Sequence, residues 1–302
     1  MPALTLPRGL IDRDGGRHRS VELVAPDGWL ERTVTDAIRS AAPDPVTRLE
    51  LLASGIERIG GYDAPDPSTL ALLARAELDL VGFWLRRAVC GDALRLVVRC
   101  PVPTCGELAD VDLTVGDLLP DDGPPEPEWF AVDAGPAGRA AFRPITAADE
   151  VVMAEVGGTD RERTDALLAR LIRSVEPAGP VATSGSAPAD QPVPSPLPEP
   201  LRNAVLLALV ERPAAATTRL EVGCPACRAP IEVRLDPLVL LARELRSGGD
   251  RLVVETHCLA FHYGWSEDDI LGLPKQRRWQ YLSLLRAELT GAPLSTAVAD
   301  GW

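Results

Sequence analysis

The chain has 302 residues, of which 46% are hydrophobic and 25% charged, with a formal net charge of −13. That balance excludes a wholly disordered chain, a collagen and a coiled-coil rod, and the length corresponds to about two domains. The acidic excess argues against a protein that grips nucleic acid by bulk charge, because phosphate binding needs net or clustered positive charge.

No apolar run reaches the length of about 18 residues that a membrane span requires, and residues 1–10 lack the apolar core of a signal peptide. The expectation is a soluble, cytoplasmic protein without a membrane partner. In that compartment six cysteines read as metal ligands or core residues before disulfides.

Residues 1–40 are mixed, with turn signals at Asp14-Gly15-Gly16 and Asp27-Gly28. From Pro45 to Gly60 the spacing of Val46, Leu49, Leu52, Ile56 and Ile59 predicts one helix. Ser68 reads as the cap of a second helix ending at Gly91, with Leu72, Leu73, Leu80, Trp84 and Leu85 on its face. Leu94–Arg99 and Leu108–Leu113 read as strands around a cysteine turn, and residues 120–127 as a Pro-rich loop. Thr146 and Asp149 have capping-box spacing, and a helix is predicted over Arg161–Val175.

Eight of the 25 residues in 176–200 are Pro, so this stretch reads as an extended, disordered linker. It separates a helical region, 1–175, from a second region, 201–290, followed by a tail, 291–302. The second region opens with a helix over Arg202–Glu211 and two strands, Thr218–Val222 and Ile231–Leu235, around another cysteine turn. Asp236-Pro237 pairs a cap with Pro at the first helical position, and that helix runs to near Gly248. Arg251–Tyr263 is the next helix, stopped by Gly264. Ser266 and Asp269 form another capping box, and Lys275–Leu289 is the last helix.

The two cysteine turns are the strongest chemical signal. Cys100-Pro101-Val102-Pro103-Thr104-Cys105 and Cys224-Pro225-Ala226-Cys227 both follow a strand and place a second Cys in a tight turn. Val111 and Leu113 follow Cys105 at the same offsets at which Val233 and Leu235 follow Cys227. Two such knuckles, supplying Cys100, Cys105, Cys224 and Cys227, close a tetrahedron around Zn2+ with bonds of about 2.3 Å. Four thiolates leave no open position, so the expected role is structural. The 118 residues between Cys105 and Cys224 are no obstacle, because loop-closure cost grows slowly with length. Loss of the metal with the fold retained, redox or disulfide chemistry, and buried thiols packing as small apolar groups are the other readings. The expected class is α+β and mainly helical. Two strand–knuckle–strand hairpins form a zinc-ribbon-like unit among amphipathic helices.

Cys90 and Cys258 read as core residues on helices. His257 directly precedes Cys258, so the two diverge by about 100° around a helix and do not form a catalytic pair. His257 and His262 have poor metal spacing, and His18 sits among Arg residues in an expected loop. No phosphate loop, nucleophile elbow or His-Glu-x-x-His motif occurs, and the expectation is a protein that is not an enzyme. In the last helix Trp279, Leu282, Leu285 and Leu289 form an apolar stripe, with Arg277 and Arg278 expected in solvent. Trp265, Ile270, Leu271, Trp279, Tyr281 and Leu285 are the candidate partner surface or its immediate support, because aromatic residues dominate interface hot spots.

The segment Glu255-Thr256-His257-Cys258-Leu259-Ala260-Phe261-His262-Tyr263-Gly264-Trp265-Ser266-Glu267-Asp268-Asp269-Ile270-Leu271 continues into Leu273-Pro274, Arg277-Arg278, Tyr281-Leu282 and Leu284-Leu285. With two Cys-Pro knuckles before it, and Phe142-Arg143-Pro144 with Asp149, it resembles the zinc-knuckle baseplate and tail-assembly proteins of contractile phages and contractile injection systems. The likeness spans roughly residues 20–290. This chain departs from the family in a longer first knuckle and in Gly264, where the family often has His. The resemblance implies a non-enzymatic assembly factor or minor structural component, assembled in the cytoplasm of an actinobacteria-like host. Its partners would be baseplate hub or wedge, spike or tube proteins. The alternative is a zinc-ribbon regulatory protein that binds nucleic acid or transcription machinery, against which the net charge of −13 argues.

Overall fold

The structure, a computed structural model, describes residues 4–12, 14–37, 43–119, 123–177, 196–211, 218–247 and 251–291. Most of the expected linker, part of the Pro-rich loop, the end of the helix expected near Gly248 and nearly all of the expected tail lie outside the described residues.

Strand β1 (Leu4–Ile11) pairs with β2 (Arg17–Leu23) across a turn that Asp12 closes by accepting from the Asp14 and Gly16 amides. Helix α1 (Gly28–Ala37) starts at Asp27, whose carboxylate accepts from Leu30 N–H at 2.9 Å. Helix α2 (Pro45–Gly55) is capped by Asp44. It stops at Gly55 and not at Gly60, because β3 (Ile56–Ile59) pairs with β2, Ile56 opposite Leu23 and Ile59 opposite Val21. β-branched side chains suit a pleated surface, and β2 would otherwise leave an open edge. Strand β4 (Tyr62–Asp63) completes an antiparallel sheet in the order β1-β2-β3-β4. His18 therefore lies on a strand and not in a loop. Its Nδ1 accepts from Gly61 N–H, and its Nε2 lies 3.2 Å from the Asp12 carboxylate.

The helix expected from Ser68 to Gly91 is two helices, α3 (Pro67–Leu70) and α4 (Arg75–Cys90), and Asp66, not Ser68, caps the first. The break comes from Glu77. Its buried carboxylate accepts from Ala74 N–H at the start of α4 and from Arg8 and Gly9 N–H on β1. Burial pushes the Glu77 carboxyl up, against the pull of those amides. Leu73, Leu80, Trp84 and Leu85 are buried as expected, while Leu72, in the break, is exposed.

Next come β5 (Ala93–Arg99), β6 (Leu108–Thr114), α5 (Val115–Leu118), β7 (Phe130–Asp133), β8 (Arg139–Phe142), α6 (Ala147–Glu155), α7 (Asp160–Leu171) and β9 (Ile172–Glu176). The helix expected to reach Val175 ends at Leu171, because β9 adds to β8 in a three-stranded sheet ordered β7-β8-β9. Beyond the Pro-rich stretch follow α8 (Glu199–Val210), β10 (Arg219–Gly223), β11 (Pro230–Arg234), α9 (Pro237–Ser247), α10 (Arg251–Tyr263), α11 (Glu267–Leu271) and α12 (Lys275–Thr290).

The regions on the two sides of the Pro-rich stretch share their cores. Leu238, Leu241 and Ala242 of α9 pack into the cluster built by β1–β3, α1, α2 and α4. Leu201 and Val205 of α8 pack with Phe142, Leu168 and Ile172. α4 and α9 approach so closely that a Cβ at Gly82 would lie 2.7 Å from Pro237 Cγ. Buried arginines add ionic ties across the same divide. Arg48 meets Asp236 at 2.6 Å, and Arg86 meets Glu244 at 2.7 Å while donating to the Gly91 and Ala93 carbonyls.

Within the first region, Asp149 shows how a buried ion pair depends on pH. Its carboxylate is fully buried, accepts from Thr146 N–H and pairs with Arg143 at 2.5 Å and Arg170 at 3.0 Å. Burial raises its pKa, but the Arg143 and Thr146 hydrogen bonds outweigh burial and bring it down to about 2. A depressed folded pKa contributes stability that is complete above the unfolded value and is lost as pH falls through the folded one. Asp149→Asn is therefore expected to cost about 2 kcal/mol near neutrality. It should also flatten the loss of stability between about pH 4 and pH 2, as read by urea unfolding across that range.

Candidate metal centre

Each knuckle sits on a hairpin whose register defines the turn. In β5–β6 the last pair is Arg99 opposite Leu108, and in β10–β11 it is Gly223 opposite Pro230. Backbone bonds close both turns, Cys100 N–H to Glu107 O at 2.8 Å and Cys224 N–H to Ala229 O at 2.9 Å. The residue after the second Cys is left-handed in both, Gly106 at φ 61° and Arg228 at φ 62°. That shared bend turns Cys105 and Cys227 back toward the first Cys of their turns. The longer first turn keeps the same end geometry, with Cys105 and Gly106 N–H both donating to Val102 O.

The two hairpins bring the four thiols together. All four sulfurs lie within 4.8 Å of one another, with Cys100–Cys227 at 3.6 Å and Cys105–Cys224 at 3.7 Å. A tetrahedron with metal–sulfur bonds of about 2.3 Å has edges of about 3.8 Å. The cysteines are not disulfide-bonded. The cluster can therefore hold a metal ion, and its donor set suits zinc or iron. Beneath it, Ala109 and Ile231 are buried with Cys100 and Cys224, and Val98, Val102, Val222 and Val233 pack around them.

The thiols do not ionise alike. The Cys227 amide, then that of Ala226, pulls the Cys224 thiol down to about 7 against the effect of burial. At Cys100 the Val102 amide lowers the pKa, but burial and the three neighbouring thiols outweigh it and push the group to about 12. A divalent cation removes that conflict, because coordination favours the thiolate at every position.

The structure separates the expected partner residues. Ile270, Leu271 and Leu285 are buried and support the C-terminal helices from within. Tyr263, Trp265 and Tyr281 form a half-buried aromatic cluster, with Trp265 and Tyr281 centroids 4.8 Å apart. Trp279 donates its indole N–H to Glu255 at 2.7 Å and lies under the Arg251 guanidinium at 3.7 Å. The expectation that both Arg277 and Arg278 lie in solvent holds only for Arg277. Arg278 is fully buried, donating to Glu31 at 2.6 Å, Leu273 O at 2.7 Å and Glu255 at 3.0 Å. Leu289, expected on the apolar stripe, is exposed.

The surface residue that sequence reasoning missed is Phe261, 75% exposed on α10, with Val253 and Val254 also exposed on that helix. The His257 and His262 rings pack beside Phe261 at 6.1 and 5.1 Å. A signal was present, since Val254, His257 and Phe261 fall at helical spacing. Cys90 and Cys258 lie on helices as expected, but half-buried. No described helix is long and apolar enough to cross a membrane.

Comparison with known proteins finds no matching family model, no matching curated protein and no matching solved structure.

Proposed function

We propose that this chain is a zinc-stabilised, non-enzymatic assembly factor or minor structural component of a contractile injection particle. The observation that carries the reading is the convergence of four thiols from two hairpins separated by more than a hundred residues. With four thiolates a zinc ion keeps no open position, so it acts as a structural staple and not as a catalyst. The sequence likeness to baseplate and tail-assembly proteins supports the particle context. So does the C-terminal surface, where Phe261, Val253 and Val254 are exposed on α10 and Tyr263, Trp265 and Tyr281 form a half-buried aromatic cluster. Such a surface suits docking onto hub, wedge, spike or tube subunits.

Deletion of the gene in its source organism tests this reading. Electron microscopy should show complete particles lost. The wild-type gene should restore them, and the Phe261→Asp variant should not, although its metal content and melting behaviour stay unchanged. Complete particles from the deletion strain would remove the reading. Altered transcription with normal particles would favour the zinc-ribbon regulatory alternative.

A further inference from the structure

We propose that the four-cysteine centre is also a redox site, whose oxidised form is a pair of disulfides joining the knuckles, Cys100–Cys227 and Cys105–Cys224. The sulfur contacts at 3.6 and 3.7 Å each take one thiol from each hairpin. A disulfide needs the sulfurs at about 2.05 Å, so each closure is a movement of less than about 2 Å. The apolar layer of Val98, Ala109, Val222, Ile231 and Val233 lies under both knuckles. It holds the hairpins together by its own burial, so departure of a metal leaves the thiols facing one another.

Access sets the order of events. Cys227 is exposed, Cys105 is half-buried, and Cys100 and Cys224 are buried. A peroxide reaches Cys227 first. The Cys227 thiolate attacks one peroxide oxygen, which breaks the O–O bond, gives a sulfenic acid and, with one proton, releases water. The Cys100 sulfur then attacks the sulfenic sulfur, forms the S–S bond and, with a second proton, expels a second water. A second peroxide converts Cys105 and Cys224 in the same way. For a site holding a divalent cation, the balance is four thiolates, two peroxides and four protons giving two disulfides, four waters and the free cation. Cys100 is well placed as the resolving thiol, because it touches Cys227 yet is shielded from peroxide itself. The product ties together the same two hairpins that a metal would tie. The staple thus persists in an oxidising medium, where a thiolate site is consumed.

The inference concerns the site of the zinc reading, but its product is defined by the thiols alone, so the two are separable by experiment. Full-length protein, as purified, is treated with stoichiometric hydrogen peroxide, and released metal is read with a chromogenic chelator. The unreduced protein is then alkylated and digested with trypsin. The knuckles fall on separate peptides, 100–139 and 220–228. The expected result is metal release together with a joined species that lacks the hydrogens of all four thiols and separates on reduction. Cys90, whose thiol burial pushes up to about 12, should remain reduced. Unjoined peptides carrying internal disulfides would overturn the inference, as would sulfinic or sulfonic acid at Cys227 or four unmodified thiols. Joined peptides from protein that held no metal would support it and remove the zinc reading.

Discussion

Cys224→Ser is expected to release the bound metal and to destabilise the chain by several kcal/mol. Cys224 is a buried member of the thiol cluster, with the Cys105 sulfur at 3.7 Å. Apparent binding free energies of structural zinc in small domains are on the order of 10–16 kcal/mol and count directly toward folding. Here the hairpins also share an apolar layer and β5–β11 packing, so part of the fold should survive loss of the ion. Elemental analysis of protein purified without chelator should find about one zinc per chain, and the variant should have none. Denaturant unfolding with and without chelator measures the stability difference. Metal-free wild-type protein would refute the zinc reading. A variant that keeps its metal would show that Cys224 is not a ligand.

Arg278→Met should cost about 3–5 kcal/mol, because it leaves two carboxylates without their shared cation in a dry interior. Arg278 is fully buried between Glu31 of α1 and Glu255 of α10, and it also satisfies the Leu273 carbonyl. Glu255 would keep Arg251 and Trp279 as partners. Glu31 would lose its contact at 2.6 Å, so the damage should centre on the docking of α1 against the C-terminal helices. Arg278→Lys should recover only part of the loss, since one ammonium cannot span the fork that a guanidinium fills. Arg277→Ala, one residue earlier and exposed, should change stability by less than about 0.5 kcal/mol. Thermal and urea unfolding of the three variants checks the ranking. Equal effects at the two positions would show that the buried network is not an energetic tie.

Local chemistry made much of this protein legible before any coordinates. The helix starts at Asp236-Pro237, Thr146 and Ser266 depend on side chains reaching backbone groups within a turn, the stop at Gly264 depends on a left-handed glycine, and each occurs. The metal centre was legible for the same reason. A strand, a Cys-Pro turn and a second strand form one local unit, and its repetition pairs the four ligands without knowledge of the rest of the chain.

By itself, then, the sequence determined the α+β class, the two hairpins, most caps and the four candidate ligands, because each follows from neighbours along the chain. Only the tertiary structure decided that Ile56 and Ile172 leave their helices for strands, since what draws them out is an open edge on β2 or β8. It also decided that Glu77 breaks a helix by gathering amides from β1, and that Arg278 lies in the interior while Arg277 lies outside. Adjacent arginines are alike in periodicity and charge. The difference between them is the presence of Glu31 and Glu255 at the end of one side chain, and Glu31 is 247 residues away in the chain. A buried charge is tolerated only where its partners are already in place, and long-range packing alone puts them there.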